Sequence, residues 1–185
     1  SKKISKLGYR GLETVEMSYV DHRVPNLNVL GGEEGLGNGR KYALSALELG
    51  RINVAARAVG VGQAAFDAAM AYAQERETFG QPIFKHQAIQ FKLAEMATKL
   101  QAARLMTYDA AARADAGERV DMEAGMAKLF ASEAAYEIAT DALRIHGGNG
   151  YTTEYPVERY FRDTPLMIIG EGTSEIQKMV IARKL

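Results

Sequence analysis

The sequence predicts a mainly α fold, an up-and-down four-helix bundle preceded by a short β segment, and three observations carry that expectation. Apolar residues recur at three- to five-residue spacing through three long runs, the period of a helix face. Strict alternation is confined to a stretch near the start. The breaks between the long runs are short and rich in glycine or proline, which favours antiparallel neighbours.

Taken in order, "GLETVEMSYV" alternates Val15, Met17 and Tyr19 with Thr14, Glu16 and Ser18, as a half-buried strand does. One strand cannot stand alone, and no partner is evident in the chain. It is therefore expected to complete a sheet formed by other sequence, and a chain starting at Ser1 with strand-like residues is expected to be a piece of a longer protein. "LGGEEGLGNGRK" reads as a connecting loop. From about Asn38, the residues Leu44, Leu47, Ile52, Ala55, Val59, Phe66, Met70 and Ala73 mark one face of a long helix, which Gly50, Gly60 and Gly62 weaken locally. "TFGQP" breaks it. A second helix carries the nearly heptad stripe Ile89, Leu93, Met96, Leu100, Ala103, Met106 and Ala110, and stops at Gly117. Asp121 is the expected N-cap of a third helix, with Met122, Met126, Leu129, Tyr136, Ala139 and Leu143 facing inward until Gly147 and Gly148 end it. A helical turn after Pro156 and a last helix from about Thr173 complete the prediction.

Composition narrows the function classes. With 185 residues, 47% hydrophobic and 25% charged, the chain can bury a real core. Basic and acidic residues balance at 23 each, so no overall field recruits nucleic acid or an anionic membrane surface. The absence of cysteine removes disulfides, thiolate metal sites and cysteine nucleophiles, and a cytoplasmic setting is the default. Arg51, Arg57 and Asp67 interrupt the Ala-rich segment that comes nearest to membrane-spanning length, so no membrane insertion is expected. Lys2 and Lys3 lead into no secretory apolar region.

Several motifs fail on context. "GVGQAA" at Gly60 to Ala65 has the glycine spacing of a dinucleotide site but lies inside a helical stripe with no strand before it. None of the histidines His22, His86 and His146 has Glu three residues before it, so no bundle metal site is expected. No phosphate-loop signature and no Gly-x-Ser-x-Gly elbow occurs.

Three stretches remain, two of them with two readings. In "AQERETFGQPIFKHQAIQF" a helix break gathers Arg76, Thr78, Phe79, His86 and Gln87, either as helix-end residues or as an anion site with a guanidinium, an aromatic ring and orienting polar groups. "RIHGGNGYTTEYPVERYFRD" places glycines where backbone can approach a ligand closely. "LMIIGEGTSEIQ" sets Glu171 between Gly170 and Gly172, either as an acid near the start of a helix capped by Thr173 or Ser174, or as a carboxylate held for chemistry.

Together with "IARKL", these stretches resemble the C-terminal half of the acyl-CoA dehydrogenase family, continuously from about Leu7 onward. The resemblance implies that residues 1–35 are the tail of a middle β-domain and that 36–185 form the C-terminal four-helix-bundle domain. It implies FAD-dependent α,β-desaturation of an acyl-CoA thioester by a homo-oligomer, a dimer or tetramer, that passes electrons to an electron-transfer flavoprotein. It also implies a bacterial cytoplasmic or a mitochondrial-matrix setting. An acyl-CoA oxidase, which lets oxygen reoxidise the flavin, and a non-catalytic helical assembly module are the alternatives. The fragment alone is expected to be inactive and to hold FAD weakly.

Residue by residue, the resemblance implies that Arg76 reaches the FAD pyrophosphate of a neighbouring subunit, with Thr78, Phe79, His86 and Gln87 nearby. Gly147 and Gly148 let backbone approach the adenosine half of that cofactor, and Arg144 stands where many members have Gln. Thr173 and Glu175 match positions that touch the flavin of their own subunit. Arg51 matches an arginine near the acyl-CoA site. Glu171 matches the catalytic base, with Gly170 and Gly172 shaping the backbone beside substrate. Some members supply that base from the first long helix, at the position of Gly50 here, and Glu48 is a poor substitute for it.

Overall fold

A computed structural model describes residues 2–185; Ser1, the first residue of the expected β-domain tail, lies outside them. After two 3-10 turns the chain enters α1 (Gly39–Glu75), makes a minimal antiparallel hairpin of β1 (Glu77–Thr78) and β2 (Gln81–Pro82), and continues through α2 (Gln87–Asp115) and α3 (Asp121–His146). Three short helices follow: α4 (Val157–Asp163), α5 (Pro165–Ile169) and α6 (Ser174–Ala182). Glu48 of α1 meets the start of α3, while Tyr72 stacks on His146 at its end, so α1 and α3 run parallel with α2 antiparallel to both. Ser174 meets Glu133 and Ile181 packs beside Gly125, so α6 returns antiparallel to α3. The architecture is the expected up-and-down bundle, with α3 at its centre against α1, α2 and α6.

Small residues make that central position possible. The buried stripe of α1 is Ala55, Ala58, Gly62, Ala65, Ala69 and Ala73. It faces α3, whose buried residues include Ala124, Ala127, Ala131, Ala135, Ala139 and Ala142. Without long side chains between them, the two backbones approach closely, and Leu93, Met96 and Leu100 of α2 fill the remaining volume with Ile138 and Ile145. Gly62 is thus a contact position: a Cβ there would lie 3.4 Å from a Leu100 methyl and 3.6 Å from Ile138.

Four expectations need correction. Met122, Met126, Leu129, Tyr136 and Leu143 flank the core of α3 as half-buried residues; only Ala139 of the predicted inward set is buried, because close approach selects small side chains over the most apolar ones. Leu44 is 55% exposed, since α1 there runs past the end of the core. Asp121 does not cap α3; Glu48 Oε1 accepts the preceding Val120 N–H at 2.8 Å, and the Asp121 carboxylate pairs with Arg119 and Lys184 instead. The alternating segment forms no strand within the described residues beyond a single Lys3–Val15 bridge, with Met17 and Tyr19 exposed, as an alternating face without a partner sheet must be.

Candidate functional site

The site residues fall into two groups at different heights on α1. From Gly50 to Glu75 the helix climbs roughly 37 Å at ~1.5 Å per residue. Arg76, Thr78, Phe79, His86 and Gln87 sit at the upper end, on and beside the β1–β2 hairpin. The end of α3 brings Arg144, Gly147 and Gly148 to the same height, because Tyr72 stacks on His146 with ring centroids 4.2 Å apart. Glu171, Gly170, Gly172, Thr173 and Glu175 lie at the lower level with Arg51.

At the upper group the hairpin turns its polar and aromatic residues outward. The Ile83 N–H donates to Arg76 O at 2.8 Å, which closes the turn and leaves the Arg76 guanidinium exposed with no carboxylate partner among the described residues. Thr78 Oγ1 lies 3.0 Å from His86 Nε2, and Gln81 Nε2 lies 3.4 Å from Nδ1, so both ring nitrogens are engaged and the ring is fixed. Phe79 is held at φ +52° and is 97% exposed. A phenylalanine in the left-handed region, presented to solvent, spends backbone strain without gaining burial inside this chain. Gln87 opens α2 as an exposed residue, and the exposed Arg144 guanidinium lies 3.7 Å from the Asp141 carboxylate. Gly147 (φ +58°) and Gly148 have open space where a Cβ would stand.

His146 anchors this end from within. It is 4% exposed, stacks on Tyr72, meets Tyr155 edge-on and places Nδ1 2.8 Å from Ala142 O. Burial pushes its pKa below the ordinary 6.5, partly offset by the Ala142 carbonyl. The unfolded chain therefore binds this proton more readily, so the stabilisation is present above the unfolded value and is lost as pH falls through the depressed folded value. Between about pH 7.5 and about pH 5 the thermal midpoint of the wild-type chain should fall more steeply than that of His146→Phe, which keeps an aromatic ring but cannot titrate. Equal slopes would remove His146 from the acid response.

At the lower group the loop between α5 and α6 presents Glu171 to α1. Glu171 sits at φ +54°, half-buried, between Gly170 and Gly172 (φ +90°). Its carboxylate rests against Gly50: a Cβ built there would stand 2.6 Å from Oε2 and 2.9 Å from Cδ. The Glu171 N–H makes no hydrogen bond to another backbone group among the described residues. Thr173 caps α6 by accepting from the Ile176 N–H at 3.5 Å. Hydrogen bonds from its own backbone amide and from the Thr173 hydroxyl hold the exposed Glu175 carboxyl below the usual range. Arg51 is half-buried, and its Nε is buried without a partner.

Sequence reasoning missed four features here. Lys128 stands fully buried on α3 and donates to the Ile168 carbonyl near the end of α5 and to the Gly172 carbonyl of the Glu171 loop. Gln177, also fully buried, donates to the Glu171 and Gly172 carbonyls. Gly50 supplies the space that the carboxylate occupies. A groove of about 870 Å³ along the start of α1 is lined by Arg40, Lys41, Arg51, Arg119, Arg183 and Lys184. One signal was available: Ala124, Lys128, Ala131 and Ala135 share helical spacing, so the lysine stands in an otherwise small-residue core stripe. No group of three or more His, Cys, Asp or Glu among the described residues is arranged to hold a metal, and no described helix is long and apolar enough to cross a membrane.

Comparison with known proteins bears on this arrangement. A family model described as "Acyl-CoA dehydrogenase, C-terminal domain" matches residues 37–185. The chain is 53% identical over 180 residues to "Probable acyl-CoA dehydrogenase YngJ" of Bacillus subtilis, covering 97% of this chain and 47% of that protein. It is 49% identical over 184 residues to "3-(aryl)acrylate reductase" of Clostridium sporogenes, covering 100% of this chain and 48% of the relative. Among solved structures, butyryl-CoA dehydrogenase from Megasphaera elsdenii superimposes with a TM-score of 0.94 at 43% identity, over 99% of this chain and 47% of its own. The chain thus spans about half the length of the curated relatives it matches.

Proposed function

Because the chain belongs to the acyl-CoA dehydrogenase family, we propose that it forms the base-bearing half of an FAD-dependent enzyme that desaturates an acyl-CoA thioester. The observation that carries this reading is Glu171, a non-glycine residue held at φ +54° with its carboxylate seated on Gly50. On this reading residues 1–35 are the tail of a β-domain, and 36–185 are the bundle.

Desaturation removes a weakly acidic proton from the carbon next to the thioester. A carboxylate whose backbone is held in one conformation and whose side chain packs against Gly50 can meet that proton in a defined geometry. The Glu171 N–H, without a backbone partner among the described residues, is the donor for the thioester oxygen as enolate charge develops there. The groove is lined by six cationic side chains, Arg51 among them, against two carboxylates, Glu48 and Asp121, and its excess of positive charge suits the phosphates of coenzyme A.

FAD fits the residues present. Phe79 at 97% exposure, the exposed Arg76 guanidinium and the open glycines at 147 and 148 offer an aromatic face, a cation and close backbone approach at one end of the bundle. Arg76, Thr78, Phe79, His86, Gln87, Arg144, Gly147 and Gly148 would hold the pyrophosphate and adenosine side, and Thr173 with Glu175 the flavin side. When bound, FAD supplies the acceptor for the hydride that leaves the β-carbon. The separation of roughly 37 Å along α1 supports assigning the two groups to cofactors of different subunits, hence a homo-oligomer. An electron-transfer flavoprotein is the proposed acceptor.

Anaerobic addition of short- or medium-chain acyl-CoA to the purified full-length holoprotein should bleach its flavin absorbance. Admission of air should restore the colour slowly; rapid recovery would assign an oxidase instead. No bleaching with any acyl-CoA would overturn the enzymatic reading in favour of an assembly module.

A further inference from the structure

We propose that Lys128 is a positioning residue for Glu171, holding the backbone on both sides of it so that the carboxylate stays on Gly50. The inference rests on the reading of Glu171 as the base.

Lys128 lies about two turns into α3, with no exposed surface. A buried ammonium is tolerated only where hydrogen bonds replace its lost water. Its contacts are not carboxylates: Nζ donates to Ile168 O and to Gly172 O, each at 2.8 Å. These carbonyls bracket Gly170 and Glu171. Gln177 closes the loop from α6, its Nε2 donating to Glu171 O and Gly172 O, each at 3.0 Å. Four hydrogen bonds from α3 and α6 therefore converge on the short stretch from Ile168 to Gly172, and all of them end on backbone oxygen.

That distribution separates holding the base from neutralising it. A left-handed glutamate is a strained conformation that persists only when its surroundings over-determine it. The clamp supplies this, while the Glu171 side chain takes part in none of the four bonds. The ionisable groups facing Lys128 are Glu133, Glu175 and Arg51, and burial lowers its pKa more than the two acids raise it. A three-donor ammonium on a four-carbon stem suits the task, because it reaches from the axis of α3 to two carbonyls at once.

A lysine that only stabilised the core would, when replaced, loosen α3 broadly; a positioning residue would loosen the loop and slow the chemistry. In the full-length holoenzyme, Lys128→Met should lower the rate of flavin reduction at saturating acyl-CoA by at least about tenfold, within the ~hundredfold cost of a 1 Å misplacement. Acyl-CoA affinity should stay near wild type. The amide of Gly170, which donates to Leu166 O at 2.7 Å, should exchange hydrogen faster, with those of α2 and α3 unchanged. Added to Glu171→Gln, the same substitution should slow the reaction no further. A wild-type rate in Lys128→Met, an undiminished loss in the double variant, or faster exchange throughout α3 would each overturn the inference. A near-normal rate in Glu171→Gln would instead remove the reading beneath it; an impaired Glu171→Gln beside an unimpaired Lys128→Met overturns the lysine alone. If Lys128→Met does not fold, Gln177→Met, which removes the other two bonds, should show the same local exchange and rate loss, and uniform exchange or none would refute the clamp.

Discussion

Glu171→Gln in the full-length enzyme should retain FAD and bind acyl-CoA, yet reduce its flavin at least about a hundredfold more slowly, the low end for removal of a general base. The substitution is close to isosteric. It keeps the left-handed backbone at φ +54° and leaves the four hydrogen bonds from Lys128 and Gln177 intact, since these end on backbone carbonyls. It also keeps the Glu171 N–H that faces the thioester oxygen in the proposed geometry. Only the capacity to take a proton is removed. Rapid-mixing absorbance at saturating substrate isolates that step, and FAD content with substrate titration checks the rest. A rate near wild type would sink the assignment. Glu48 would then be an awkward replacement, because its carboxylate already accepts the Val120 N–H at the start of α3.

The helical architecture was legible in the sequence because helix breaks are written in local chemistry. Gly117, the TFGQP break and the Gly147–Gly148 pair end helices for backbone reasons that need no tertiary knowledge. The inward face of α3 was not legible. Apolar periodicity picks out Met126, Leu129 and Leu143, but at the centre of this bundle the close-packed positions belong to alanine, which a hydrophobicity stripe ranks low. Val15, Met17 and Tyr19 carry a strand pattern, and among the described residues the Lys3–Val15 bridge is the only ladder contact this segment makes.

The candidate site was legible where its residues are contiguous. Arg76 to Gln87 and Gly170 to Glu175 are local clusters, and the structure keeps each together. What joins Glu171 to the rest is long-range. Gly50, Lys128 and Gln177 come from three different helices, and only their packing brings them to one loop. Spacing alone gives no reason to link Gly50 with Glu171, and read locally Gly50 is merely a weak point in a helix.

Gly50→Ala turns that difference into a measurement. Alanine in a helix interior is favoured over glycine by roughly 0.5–1 kcal/mol, so on local grounds the substitution should stabilise α1. The new methyl, however, would stand 2.6 Å from Glu171 Oε2 and 2.9 Å from Cδ, inside any permitted contact. Since Glu171 meets it with the far end of a side chain, the carboxylate can swing away at little cost to the fold. The clamp fixes the backbone from which the side chain springs but makes no bond to the carboxylate itself, so rotation about the side-chain bonds stays open to it. A base displaced by about 1 Å or more loses on the order of a hundredfold in rate. Gly50→Ala should therefore melt no lower than wild type while reducing flavin about as poorly as Glu171→Gln. Gly60→Ala is the control, on the same helix with nothing within 4 Å of the added methyl, and should gain the helix stabilisation with the rate unchanged. If Gly50→Ala kept a near-normal rate, the seat of the carboxylate on α1 would not be its working position. If it unfolded instead, the loop would be more rigid than a side chain rotating about its own bonds allows.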